Sequence, residues 1–218
     1  RLFGLVGETE AFLRAAGDYG AGHLRVSSVL PFFIVDIVTV FREHYPLIKI
    51  SVSSGNSATS LQRLLTYESD VGVLSDHDPD HRLYTRVHDS HFIVAIVSSD
   101  HPWATRESIS ITELHDQPMV MREVGSNTRS AFESAANAAG VSPNIVMDIE
   151  SGEAVREAVA RGHGIGVYGE LALPSDPRLK ALQFTDAEMK VNRYLACLHE
   201  RKNEFLVEAF FDVATRAR

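Results

Sequence analysis

The chain has 218 residues, 44% of them apolar, and a formal net charge of −8. That length and apolar content suffice for one large or two small cores, and the negative charge argues against nucleic-acid binding by these residues themselves. No run approaches the roughly 20 apolar residues that span a bilayer, Arg1, Glu8, Glu10 and Arg14 interrupt any secretory leader, and the lone Cys197 excludes an internal disulfide, so the expectation is a cytoplasmic protein with no membrane contact.

The first segment, RLFGLVGETEAFLRAA, sets Leu2, Leu5, Val6, Phe12 and Leu13 on one helical face with no capping residue before them. It reads as the end of a longer linker helix over 1–20, or as an ordinary first helix. Gly17-Asp18 and Gly20 break it. HLRVSS then reads as a strand. Pro31 suits the first turn of the helix that follows, because its missing N–H costs nothing there. Phe33, Ile37, Val40 and Phe41 recur at helical spacing. Residues 48–52 form the next strand, Gly55, Asn56 and Ser57 a polar turn, and Leu61, Leu64 and Leu65 line a further helix. Residues 70–74 are a third strand. This β-α-β-α-β order calls for a parallel sheet with helices on its faces. Ligands of such sheets bind beyond the carboxyl ends of the strands. Those ends are Ser27-Ser28, Gly55-Asn56-Ser57 and Ser75.

The second half repeats the pattern. Strand 118–121 feeds a polar turn containing Arg122, Glu123, Gly125, Ser126, Asn127, Thr128 and Arg129, and helix 128–139 follows. A strand opening into a helix through such a turn aims free backbone N–H groups at one point. The helix dipole makes that point attractive to anions, and Arg122 and Arg129 add formal positive charge. Gly140 ends the helix. Strand 145–149 leads through Glu150-Ser151-Gly152-Glu153 into helix 154–161, and Gly162 ends that helix. Strand 165–168 closes with Tyr168. Two such units imply an α/β fold of two similar lobes with the ligand between them. The expected first lobe holds residues 22–95 and 198–218, and the second holds 96–197. Crossover strands at 91–97 and 194–198 join them, and helix 204–213 closes the first lobe.

Other patterns carry less. Asp76-His77-Asp78-Pro79-Asp80-His81 contains metal-ligand types, but its spacing fits no specific site. It reads as an acidic exposed loop. Gly162-x-Gly164-x-Gly166 follows a helix and opens a strand, the reverse of a dinucleotide fingerprint. Gly164 and Gly166 are expected to permit close packing near the cleft. No G-x-S-x-G elbow is present, so the serine-rich turns are hydrogen-bond donors and caps. Cys197 reads as a reduced buried thiol. Neither an enzyme nor a cofactor is expected.

The order of LRVSS, LPFFIVDIVTVFREHYPLIKISV, SGNSATSLQRLL, VGVL, HFIVAIVSSDHPWA, ITELHDQPMVM and AVREAVARGHGIGVYGE resembles the effector-binding domain of LysR-type transcriptional regulators. The resemblance implies two Rossmann-like lobes of the periplasmic-binding-protein type joined by two crossover strands. It also implies an N-terminal winged helix-turn-helix outside this chain, through which alone the protein binds DNA, and a small anionic effector in the cleft. Within the family, QPMVMREVGSNTRSAFE with ESGEAVREAV is similar to regulators associated with aminoethylphosphonate catabolism. A phosphonate suits helix N-termini, hydroxyls and Arg, and an ammonium group would find Asp76, Glu123, Glu150 or Glu153 in the candidate loops. The site residues expected are Ser27, Ser28, Asn56, Ser57, Ser75, Arg122, Gly125, Ser126, Asn127, Thr128, Arg129, Glu150 and Tyr168, with no metal. The resemblance further implies a homodimer, and a tetramer for the full-length protein. Helix 31–44 and strand 48–53 would pack against helix 128–139 of the partner, unless the lobe itself covers the excess apolar arc. The alternative is a periplasmic-type solute-binding protein for a small anion, which shares the two-lobed fold.

Overall fold

The computed structural model describes residues 22–29, 31–76 and 80–216. The expected linker helix over 1–20 and the middle of the 76–81 loop lie outside the described residues. In the first half, β1 (His23–Ser28), α1 (Pro31–His44), β2 (Lys49–Ser54), α2 (Ser57–Leu65) and β3 (Val71–Ser75) follow in the expected order. β1 pairs in parallel with both β2 and β3. In the second half come β6 (Pro118–Arg122), α3 (Asn127–Ala138), β7 (Asn144–Ile149), α4 (Gly152–Ala160) and β8 (Ile165–Gly169). β6 pairs in parallel with β7 and β8.

Two long strands join the halves, β4 (Leu83–Ser98) and β10 (Lys190–Leu198). β4 pairs with β10 over residues 83–92 and with β8 over 93–96. β4 therefore changes lobe between Phe92 and Ile93. β10 pairs with β3 at 193–196, so these residues lie beside the first lobe's strands, while Val191 at the start of β10 still packs in the second lobe's core. The continuous path β2-β1-β3-β10-β4-β8-β6-β7 makes a mixed sheet. Short β5 (Ser108–Ile109) pairs with β9 (Leu179–Phe184), which flanks β4. α5 (Phe205–Arg216) closes the first lobe.

Alternation along the strands assigns each face its own core. In β4, Ile93, Ala95 and Val97 join the core with Phe132 of α3, whereas Val94 and Ile96 join Val155 and Val159 of α4. In β10, Leu195 and Cys197 face Phe41 of α1 and Phe210 of α5, while Ala196 and Leu198 face Leu64 of α2. Each lobe is thus a sheet between helices. Cys197 is fully buried, and that burial pushes its thiol up to about 12, as expected of an inert core cysteine.

The glycines at 162–166 are structural. Gly162 adopts φ +80° and ends α4. At Gly164, a Cβ would stand 2.6 Å from the Pro118 carbonyl oxygen. Gly166 wedges against Val159 of α4 and Ile96 of β4. The close packing occurs, but Gly164 stands at the start of β8, away from the cleft expected at its carboxyl end. Among the described residues, no helix is long and apolar enough to cross a membrane, and no group of side chains is arranged to hold a metal ion.

Candidate functional site

The topology decides where the strand ends meet. β3, β10, β4 and β8 are successive antiparallel neighbours. Three reversals make β8 run opposite to β3. The carboxyl ends of β1, β2 and β3 therefore face those of β6, β7 and β8 across the crossover. A cleft of about 700 Å³ lies between them, within the range of small-molecule sites.

Among the described residues, the starts of α2, α3 and α4 line this cleft. α2 is capped by Asn56, whose Oδ1 accepts from the Thr59 amide at 2.9 Å. α4 is capped by Ser151, whose Oγ accepts from the Ala154 amide at 3.3 Å. α3 starts at Ser126, which makes no side-chain cap bond. Its first-turn amides therefore stay available to an occupant. Gly152, at the start of α4, brings that helix so close that a Cβ would lie 2.9 Å from the Tyr168 hydroxyl and 3.3 Å from Arg122 Nη1. A helix start, a phenol and a guanidinium thus converge.

The charges are partly self-cancelled. Arg122 donates from Nε and Nη2 to Glu123 at 2.8 and 3.0 Å. Glu123 also accepts from Asn56 Nδ2 of the opposite lobe at 2.9 Å. Burial raises the Glu123 carboxyl, but the bonds from Arg122 and Asn56 outweigh it and hold the group below its ordinary range. Asn127 makes a second bridge between lobes, to the Ser75 and Asp76 carbonyls. Asp148 is paired with Arg129 at 2.6 Å. Glu150 and Glu153 also line the cleft. A bond from Ser151 and a backbone amide hold Glu153 below its ordinary range. Burial pushes the Tyr168 hydroxyl up.

Of the expected residues, Asn56, Ser57, Ser75, Arg122, Ser126, Asn127, Thr128, Glu150 and Tyr168 line the cleft. Four are placed elsewhere. Ser27 and Ser28 are fully buried beneath it, because they end β1 inside the sheet, and Val29, one residue past the strand, lines the cleft instead. Gly125 adopts φ +93°, and a Cβ there would sit 3.3 Å from Asn56 Nδ2. It lets the two lobes approach. Arg129 turns toward Glu133, Asp148 and the Arg122 carbonyl, each within 2.7 Å. Its place in the first turn puts Glu133 one turn away, and that pairing wins. Asp76 turns to Asn192, accepting from its backbone and side-chain nitrogens at 3.1 and 3.0 Å. His91, Gly169 and Ala172 line the cleft without having been expected. His91 sits in the apolar crossover strand, where no local pattern marks it.

The sequence matches the family described as LysR substrate binding domain over residues 18–218. It is 28% identical over 196 residues to the HTH-type transcriptional activator CmpR of Synechocystis, covering 88% of this chain and 64% of that protein. It is 25% identical over 172 residues to the HTH-type transcriptional regulator CysL of Bacillus subtilis, covering 78% of this chain and 58% of that protein. The chain thus spans less than two thirds of these relatives. The regulatory domain of Synechocystis CcmR in complex with 2-PG superposes with a TM-score of 0.81 at 26% identity, covering 89% of this chain and 96% of that one. The effector-binding domain of QuiR in complex with shikimate shares the fold, with a TM-score of 0.81 at 19% identity over 90% of this chain and 96% of that one. The facing strand ends, the cleft between two lobes and the match over nearly all of its length establish that this chain belongs to the LysR substrate-binding-domain family.

Proposed function

We propose that this chain is the effector-sensing part of a cytoplasmic LysR-type transcriptional regulator. Its cleft binds a small anion that also carries an amino group, with an aminophosphonate as the leading candidate. The observation that carries this reading is the mixed lining: Arg122 and the starts of α3 and α4 beside Glu150 and Glu153. Helix starts and a guanidinium suit a phosphonate. The carboxylates would repel a plain dianion, and an ammonium group offsets that repulsion. The curated relatives are named as transcriptional regulators, which favours a sensor over a transport protein or an enzyme.

In this reading the effector's anion competes with Glu123 for Arg122. Moving Glu123 releases Asn56, one of the bonds that bridge the lobes. Differential affinity for one lobe arrangement then shifts the equilibrium between arrangements. The shift passes through a homodimer, and a tetramer of the full-length protein, to a separate DNA-binding segment. The two outer strands support the dimer: β2 leaves Val52 exposed, and β7 leaves Ile145, Val146 and Met147 exposed. Together with α1 and α3 they could pair in an antiparallel, two-fold arrangement.

Calorimetry tests the ligand class directly. 2-Aminoethylphosphonate should bind more tightly than 2-phosphoglycolate or sulfate. Absence of heat with every anion in the panel would sink the reading.

A further inference from the structure

His91 is a cleft-lining polar side chain that the site's chemistry leaves unexplained. It is 7% exposed and borders the cleft. Its Nδ1 is buried and has no hydrogen-bond partner among the described residues. A buried polar nitrogen left in that state is destabilising unless something completes it. The surroundings hold the ring in place. A Cβ on Gly169 would come within 2.5 Å of Nε2, so the ring fits only because residue 169 is glycine. Burial, and then the charge of Arg193, pull the His91 pKa down. The imidazole is therefore neutral near pH 7 and can donate or accept.

The position of His91 matters as much as its chemistry. Its neighbour Phe92 still pairs with Lys190 of β10, whereas Ile93 pairs with Gly169 of β8. His91 thus stands where β4 leaves one lobe for the other. Among the described residues lining the cleft, it is placed on a crossover strand rather than on a strand-to-helix turn.

We infer that His91 is a specificity-determining contact of the effector: a hydrogen-bonding group of the bound molecule, set apart from its anionic end, completes His91 Nδ1 at the crossover. The inference rests on the effector reading of the cleft. It adds a requirement that an anion site alone does not impose: the effector must carry a second polar group that reaches the crossover end. Because the bond is made to a strand shared by both lobes, it ties the occupant to the axis about which the lobes would turn.

The test combines two variants with one spectroscopic readout on the intact chain. His91→Leu removes the hydrogen-bonding edge. His91→Asn keeps an amide near the Nδ1 position. Calorimetry with 2-aminoethylphosphonate and 2-phosphoglycolate is run alongside nitrogen NMR of the wild-type imidazole. The Leu variant should bind the better probe about tenfold more weakly, the Asn variant should recover most of that loss, and the Nδ1 resonance should shift on titration. Wild-type binding with an unmoved Nδ1 resonance and equal affinity in the Leu variant would overturn the inference while leaving the anion site intact; it would mean that an internal water serves His91. If the Leu variant fails to fold, the shift of the wild-type Nδ1 resonance still decides. No binding of either probe to the wild type would overturn the effector reading and this inference with it.

Discussion

The first lobe lines the cleft with Ser54, Asn56, Ser57, Thr59 and Ser75, none of them charged, whereas the second contributes Arg122, Glu123, Asp148, Glu150 and Glu153. Both jaws come from the same wiring of strands and helices, and both present helix starts. In the first, side chains already satisfy the turns: Asn56 caps α2, and Ser57 Oγ bonds the Ser75 carbonyl at 3.0 Å. In the second, α3 has no side-chain cap and Arg122 is held by a carboxylate that an effector could replace. One jaw is a neutral, pre-bonded surface and the other is a charged, exchangeable one. Equivalent topology therefore does not imply equivalent roles.

The largest test of this asymmetry is Arg122→Gln. It should lower affinity for 2-aminoethylphosphonate by about 3 kcal/mol, since bonds to charged groups lie at the upper end of hydrogen-bond energies, and it should flatten the salt dependence of binding. Titration calorimetry at two salt concentrations reads both effects. Unchanged affinity would remove Arg122 from the site. Ser126→Ala comes next. Its loss should cost roughly 1.5–3 kcal/mol of affinity if the hydroxyl donates to an anion. Because Ser126 makes no cap bond, melting should move little, and a large fall in melting temperature with intact binding would make it a structural residue instead.

A first-lobe substitution should show the opposite balance. Asn56→Ala removes the α2 cap and the bridge to Glu123, and should cost about 1 kcal/mol of stability. Its affinity loss should be smaller than that of Ser126→Ala. The smallest effect is in pH. Glu123 titrates below its ordinary value in the folded protein. Its contribution to stability is therefore present above the unfolded carboxylate pKa, roughly 4.3, and is lost as pH falls through the lower folded value. Melting followed from pH 6 down to pH 3 should fall less steeply in Glu123→Gln than in the wild type. Parallel curves would deny Glu123 a bonded, ionised role.

The amino-acid order alone determined the elements and their succession. Helical spacing at Ile37 and Phe41, the short apolar run at 118–121 and the glycine stops at 140 and 162 are local signals, and the structure bears them out within one to three residues at most ends. The match of turn residues to strand ends also made Asn56, Ser57, Ser75, Arg122, Ser126 and Tyr168 legible as cleft residues, because a parallel sheet always places its ligand beyond those ends. Pairing and direction were decided only in three dimensions. Arg129 and Arg122 look alike in sequence, yet one is spent on Glu133 and Asp148 and the other faces the cleft. Ser27 and Ser28 end their strand as expected yet are buried by the packed sheet, and the next residue, Val29, reaches the cleft. His91 came to the cleft because the crossover strand β4 leaves β10 and passes beside β8, a relation between residues far apart in the chain. Local periodicity depends on near neighbours and can be read from a string of letters, whereas a side chain's final partner depends on which distant groups the packed sheet brings within bonding distance.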